Sequence, residues 1–261
     1  MPRSTSALED AAPASILARA SRLRAAHCFG RLPGADTEKL VREARVQRLA
    51  EGEPLWRAGA PGAGFALVHE GLVLIAAPRA DGERAVLGLF GAGECVGIAA
   101  ALDGSAYPAD AIAFTRSVEV LWIPSVALRS LASASPAVAR AIQHALLAHT
   151  QALRVKIEIL SAGKVPARIA SLLLHLGERF GTPLPGGAIR LELPVSRQAI
   201  AELVSARTET VIRCLTRWKR AGAIDSDPRG FTLRDREVLR LARGGLDENE
   251  ARRVPRVARG D

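Results

Sequence analysis

Glu209 and Arg213 stand one helical turn apart in the stretch TETVIRCLTRWKR, residues 208–220. A carboxylate and a guanidinium at that spacing have two uses. On a solvated helix face they form an i,i+4 ion pair, adding a few tenths of a kcal/mol. Turned toward DNA, the guanidinium can fork onto guanine O6 and N7, and the carboxylate can accept from a cytosine amino group. At about 100° per residue, Val211, Cys214, Leu215 and Trp218 share one sector, while Glu209, Arg213, Thr216 and Arg220 take the opposite one. Residues 164–240 carry 14 basic and 8 acidic side chains, which supplies +6 of the chain's net +9. A basic excess confined to one segment favours a polyanion partner through counterion release.

Such a helix must be held with its polar side free. Upstream, SRQAIAELV reads as a second short helix with Ser196 as its N-cap, joined to the first through Ser205-Ala206-Arg207. Ala199, Ile200, Leu203 and Val204 face the stripe of Val211, Leu215 and Trp218. AIDSDPRGFTL then gives two short strands about an Asp-Pro-Arg-Gly turn, and DREVLRLA a closing helix. The pattern is a helix-turn-helix followed by a β-wing. The major groove admits one helix, read mainly by its N-terminal half. Thr208, Glu209, Ile212 and Arg213 are therefore the candidate base readers, with Ile212 suited to a thymine methyl. Arg197, Gln198, Arg217 and, on the wing, Arg229 are the candidate phosphate contacts, which carry no sequence information.

The rest of the chain divides by texture. Residues 1–24 are Ala- and Ser-rich, a loose arm or short helix. From Arg31, short apolar segments (FALV, LVLIA, AVLGLF) alternate with Gly, Pro or Asp-Gly turns, which predicts an all-β barrel or sandwich over 25–134. From Ser135 to about Ser161 the period becomes helical, with Pro136 well placed as a first helical residue. There Ala139, Leu146, Leu153 and Leu160 recur every seven residues, flanked by Ile142, Ala145 and Ile157. That heptad predicts a seam of Ile142, Leu146, Leu153, Ile157 and Leu160 against a second copy, although His149 and Lys156 fall near it. The alternative is an amphipathic helix packed on its own domain. The segment 135–163 is thus a dimerisation helix and hinge, 164–242 the winged helix-turn-helix, and 243–261 a flexible charged tail.

Several classes are excluded by what the sequence lacks. Cys28, Cys95 and Cys214 lie far apart with no C-x-x-C, so neither a disulfide framework nor a zinc site is expected, and the count suits a reducing cytosol. The first twenty residues hold no apolar stretch fit for a signal sequence. The longest apolar run, Ala85 to Leu102, is broken by Glu94 and four glycines and reads as buried strands and turns, not a membrane span. A cupin-type metal enzyme would need clustered His and carboxylate ligands, and residues 60–125 hold one His. A non-DNA scaffold using the winged helix for protein contacts is the other reading from a different class.

The chain resembles the CRP/FNR group of bacterial transcription regulators across roughly residues 25–240. VSRQAIAELVSARTETVIRCLTRWKRAGAI resembles the group's recognition segment, GERAVLGLFGAGECVGIAAALDG its effector-domain β-roll, and KVPARIASLLLHLGERFG its interdomain helix. The resemblance implies an α+β architecture: an N-terminal cyclic-nucleotide-binding-type β-roll (jelly roll), a long dimerisation helix and a C-terminal winged helix-turn-helix. It implies a cytoplasmic homodimer without catalytic activity, with double-stranded DNA and RNA polymerase as partners and no membrane.

The departures are informative. Ser205 occupies the turn position where the group usually has Gly, at a cost of about 1 kcal/mol. Thr208 replaces the recognition-helix Arg of the cyclic-AMP receptor protein, while Glu209 and Arg213 match the FNR branch. Cyclic-AMP binders of the group use a Glu, an Arg and a Thr-Ser pair; Ile98, Pro108 or its neighbour, and Leu153-Arg154 stand at those positions. An effector pocket by this likeness would take Gly97, Ile98, Ala99, Tyr107, Pro108, Leu153 and Arg154. It lacks the cation that a cyclic phosphate needs, which argues against cyclic AMP in the usual mode. Glu94 reads as a solvent-facing turn residue. Cys28 stands alone near the N-terminus, so no iron–sulfur cluster is expected. Haem, on His27 or His69, and a redox- or nitric-oxide-linked signal are left open by YPADAIA, which is similar to relatives in those branches. His144 and His149 lack the i,i+4 spacing for joint metal ligation, and no metal is expected.

Overall fold

The computed structural model describes residues 15–79, 84–193 and 195–244. They form two compact units, one taking the residues through Pro78 together with Leu89–Thr150, the other Arg79–Gly88 and the residues from Gln151 onward.

In the first unit, α1 (Ile16–Ala25) and α2 (Gly34–Arg42) precede β1 (Arg45–Ala50), β2 (Pro54–Trp56), β3 (Gly64–Glu70) and β4 (Val73–Pro78); β5 (Arg84–Phe90) comes next in the chain, its residues through Gly88 counted with the second unit, and then β6 (Cys95–Val96). A short α3 (Ile98–Asp103), β7 (Asp110–Ala113), β8 (Ser117–Pro124), α4 (Ser125–Ala134) and the long α5 (Pro136–Ser161) follow, α5 belonging to the first unit through Thr150 and to the second from Gln151. Two antiparallel sheets, ordered β1-β8-β3-β6 and β2-β7-β4-β5, make the β-roll. β8 runs between β1 and β3, with Leu121 opposite both Val46 and Leu67. Flanked on both sides, it is buried over Val118–Leu121.

The core joins Phe65 and Leu67 of β3, Leu121 and Ile123 of β8, Leu40 of α2, Leu128 of α4 and Val138 of α5. Ala20 and Leu23 of α1 also belong to it. Of the two expected forms, loose arm or short helix, the described part is the helix, and because α1 is packed into this core the boundary set at residue 24 moves back. Residues 1–14 of the expected arm lie outside the described residues, as do 245–261 of the expected tail. An ion pair fixes α1 on the roll. Glu119 of β8, 5% exposed, accepts from Arg22 at 2.6 Å and from Arg48 at 2.9 Å. Burial pushes its carboxyl pKa up, but the bonds from Arg22 and Arg48 outweigh that and hold it below the usual value. The β texture starts later than Arg31: residues 34–42 are helical because Thr37, Leu40 and Val41 share one buried face.

In the second unit, α6 (Val165–Phe180) is followed by β9 (Thr182–Pro183), β10 (Ile189–Leu191), α7 (Arg197–Val204), α8 (Thr208–Arg220), β11 (Ile224–Asp227), β12 (Gly230–Leu233) and α9 (Arg236–Arg243). Its sheet is ordered β11-β12-β10-β9. Asp235 caps α9 by accepting from Glu237 N and Val238 N. Between the strands of the wing, Gly230 at φ +148° leaves no room for a side chain, since a Cβ would stand 2.0 Å from the Leu191 carbonyl.

Along α5, Ile142 departs from the expected seam. It is 7% exposed and sits in the core of the first unit, because it lies on the flank of the helix facing the roll. Leu146 is half-buried against the same core. Leu153 and Ile157 are 39% and 64% exposed, and Leu160 is half-buried.

Candidate nucleic-acid interface

The packing of α7 on α8 follows the sequence pattern. Ser196 accepts from Ala199 N at 3.0 Å and starts α7. Ile200, Leu203 and Val204 of α7 are buried, as are Val211, Cys214, Leu215 and Trp218 of α8, with Trp218 fully enclosed. Opposite that stripe, Glu209, Arg213, Thr216 and Arg220 are exposed. Ile212, at the edge of the same face, is 47% exposed, and Thr208 is half-buried on its shoulder. The i,i+4 ion pair is not formed. Among the described residues neither Glu209 nor Arg213 has an ion-pair partner, so both heads are free to meet an outside partner.

The turn between the helices is strained and braced. Ser205 has φ 50° and ψ 59°, the one non-glycine positive φ among the described residues. Its L side chain is disfavoured there by about 1 kcal/mol. We expect Ser205→Gly to raise the stability of this unit by roughly 0.5–1 kcal/mol, read as an upward shift of its melting transition; an unchanged or lower transition would contradict the strain. The last carbonyls of α7, unpaired within the helix, are taken by cations of α5 and α6. Lys156 donates to Leu203 O, and Arg168 to Val204 O at 3.5 Å.

Burial lowers the Lys156 pKa to about 8. Between that value and 10.5 the unfolded chain holds a proton that the folded chain has released, so stability rises with pH across this window. Below pH 8 both states are protonated and the burial cost is present in full. The difference in melting temperature between the wild type and Lys156→Met is therefore expected to move in favour of the wild type as pH rises from 8 to 10.5. A gap independent of pH would exclude the burial cost as its cause.

The wing supplies and withholds cations. Asp227 accepts from Arg229 N at 2.8 Å and Gly230 N at 3.1 Å, shaping the turn, and pairs with Arg190 at 2.8 Å. These bonds, the Arg190 one first, hold its carboxyl pKa at about 2. Lys219 and Arg234 are both drawn to Asp225, at 3.2 and 3.4 Å. Arg197, expected on a phosphate, is instead tied to the wing. It donates to Ser226 Oγ at 2.9 Å and lies over the Phe231 ring at 5.1 Å. Gln198 is exposed and donates to Glu202 Oε1 at 3.2 Å. Arg217 is exposed. Arg229 is exposed with its guanidinium unpaired, and so are Arg207 and Arg220. The last two were not among the expected phosphate contacts, though they are exposed as Arg229 is. The signal was their placement: Arg207 immediately precedes the first turn of α8 and Arg220 ends its outward row.

A Crp-like helix-turn-helix domain matches residues 167–242, and a cyclic nucleotide-binding domain residues 46–135. Regulatory protein CysR of Synechococcus elongatus is 31% identical over 175 residues, covering 66% of this chain and 77% of that protein. The CRP-like cAMP-activated global transcriptional regulator of Mycobacterium tuberculosis is 28% identical over 204 residues, covering 78% and 89%. The chain belongs to the CRP/FNR family of transcription regulators. The solved structure of FixK2 from Bradyrhizobium japonicum, 22% identical, covers 76% of this chain and 96% of its own with a TM-score of 0.66, and so shares the fold. Members of the CRP/FNR family are transcription regulators, not enzymes, and the helix-turn-helix is the DNA-binding domain. Among the described residues no helix is long and apolar enough to cross a membrane.

Among CRP/FNR regulators the effector region is the β-roll side of the chain, and here its expected pocket residues are packed. Gly97, at φ +79°, is covered by Trp56, and a Cβ there would meet the indole at 2.8 Å. Tyr107 stacks on Trp56 at 4.2 Å and 14° and donates to Gly64 O. Ile98 lies in the core, while Ala99 and Pro108 are exposed. Packing thus fills the ground where the likeness placed a pocket in the first unit. Leu153 and Arg154 fall in the second unit, where Arg154 pairs with Glu158 at 3.5 Å. A cavity of about 50 Å³ does exist in the first unit, lined by His27, Cys28, Phe90, Glu94, Cys95 and His149 among others. Glu94 is a turn residue as expected, but half-buried, accepting from Gly91 N at 2.6 Å. Cys28 is not alone, because the fold brings Cys95 to the same cavity. His69 and His144 are exposed.

Proposed function

We propose that the protein is a homodimeric CRP/FNR-type regulator that reads a near-palindromic operator with α8, under the control of a signal received by the β-roll. The observation that carries this reading is the outward, unpaired Glu209 and Arg213 on the face of α8 opposite its buried stripe. Arg213 forks onto a guanine, Glu209 accepts from a cytosine and Ile212 meets a thymine methyl. Arg207, Arg217, Arg220 and Arg229 neutralise phosphates. A second copy joins along Leu153 and Ile157, and two-fold symmetry sets the half-sites about one helical turn (~34 Å) apart. RNA polymerase is the further partner, and the cytosol the compartment.

Site selection from random duplexes, followed by binding of the selected site at graded salt, tests the reading. A palindromic consensus and a steep salt slope are expected; no enrichment over random DNA would refute it. The cavity at His27 and Cys28, about 50 Å³, is far below the roughly 300–1,000 Å³ of small-molecule sites, which argues against haem or a nucleotide there. Gly97, Ile98 and Tyr107, where the likeness placed a nucleotide pocket, are packed against Trp56 and the core and bring no cation, so saturating cyclic AMP should leave the melting temperature unchanged, whereas a ligand at 100 times its Kd adds about 2.7 kcal/mol. A clear upward shift would overturn this part of the account.

A further inference from the structure

The cavity of the first unit has a chemistry that the DNA-reading site does not use. Cys28 follows the end of α1 and Cys95 opens β6, 67 positions later. Their segments are held side by side, His27 N donating to Gly93 O at 2.9 Å, and the Cys95 segment is fixed on β3 by Val68 N donating to Glu94 O at 2.9 Å. The His27 ring lies over Gly93, where a Cβ would stand 2.7 Å from Nε2, so the approach is close and fixed. Both cysteines line the same cavity. The two also feel each other electrically. Burial raises the Cys95 pKa well above its ordinary value and the neighbouring Cys28 raises it further; burial and then Glu94 raise that of Cys28. The third cysteine, Cys214, is in the other unit, on the buried face of α8. Among the described residues no three His, Cys, Asp or Glu side chains converge as metal ligands. Two thiols without a third ligand suit two-electron sulfur chemistry better than a metal.

We propose that Cys28 and Cys95 form a redox-reactive dithiol in the β-roll unit, which a low-molecular-weight disulfide such as oxidised glutathione converts to an intramolecular disulfide. Both cysteines are half-buried, but burial raises the thiol of Cys95 further than that of Cys28, and Cys28 is therefore the entry point. Its thiolate attacks one sulfur of the oxidant, whose S–S bond breaks and releases one glutathione thiol. The Cys95 sulfur then gives up its proton, attacks Cys28 Sγ in the mixed disulfide and expels the second glutathione thiol. Two protein thiols are oxidised, and two electrons and two protons pass to the oxidant. Because burial keeps the thiolate fraction small, the first step is slow at neutral pH and quickens as pH rises. Oxidation also touches the long helix: His149 of α5 stacks on Phe90 at 6.3 Å and 15° on the wall of the same cavity.

Incubating the full chain with oxidised glutathione, quenching with an alkylating agent and mapping peptides by mass tests this without reference to DNA. The expected product has lost two hydrogens, links Cys28 to Cys95 within one chain, and returns to the free thiols with dithiothreitol. Cys95→Ser should trap glutathione on Cys28, and Cys28→Ser should leave Cys95 unmodified. The proposal is overturned if the wild type keeps an unresolved glutathione on Cys28, if Cys28 links to another chain, or if stoichiometric Zn²⁺ binds and shields both sulfurs. The wild-type map alone decides the matter should either variant fold poorly.

Discussion

Arg213→Ala should weaken binding to the selected operator by roughly 1–3 kcal/mol, about 5- to 150-fold, while barely changing affinity for random duplex. The asymmetry follows from geometry. Arg213 is exposed, unpaired and on the outward row of α8, one turn from Glu209, so its loss removes a bidentate base contact and no packing. Discrimination at one base pair in each half-site should relax with it. Arg229→Ala on the wing should do the reverse, lowering affinity on all sequences alike and shortening the salt slope by about one unit. Titrations of both variants on selected and random duplexes at several salt concentrations separate the two roles. Equal losses on both DNAs from Arg213→Ala would remove it from the base-reading set.

Ile157→Asp, alone or with Leu153→Asp, should convert a dimer to a monomer and cost the operator on the order of 10²–10⁴ in affinity, because each copy would then bind one half-site without the benefit of linkage. Ile157 and Leu153 are 64% and 39% exposed on α5, so a carboxylate there disturbs little in either unit but is intolerable between two packed helices. Sedimentation would register the change in mass, and circular dichroism should register none in helix content. A wild type that sediments as a monomer, or a double variant that stays dimeric, would contradict the seam. Ile142 is the wrong place for this experiment. It sits in the core of the first unit, and a charge there would unfold the β-roll before it reported on association.

What was legible from residues alone was the local, periodic part. The 26-residue α5, α6 ending before Gly181, the α7–turn–α8 pair and the wing each carry their own signals in caps, heptads or turn residues, and appear within a residue or two of expectation. The positive φ of Ser205 was expected from the resemblance, since the group usually has Gly at this turn position. What failed was long-range. α2 hid inside a strand-like texture because its apolar residues are few, and a turn-rich stretch on either side masks a 9-residue helix. Ile142 fits the heptad as well as Leu153 does; which flank of a helix meets its own domain depends on where α5 crosses the roll. The neighbourhood of Cys28 and Cys95 is set by the pairing of the His27 and Gly93 backbones, and no spacing rule joins residues so far apart. The wing's hold on Arg197 is likewise a contact between elements, with Ser226 and Phe231, invisible in the run of charges.

The most direct measurement of whether α8 reads base edges is a coupling experiment at single atoms. Each guanine of the selected operator is replaced in turn by 7-deazaguanine, which removes N7 alone, and affinities are taken for the wild type and for Arg213→Ala. One symmetric position per half-site should weaken the wild type and leave the variant indifferent. If the two losses add at every guanine, no base is read by Arg213, and the exposed face of α8 is a solvated surface after all.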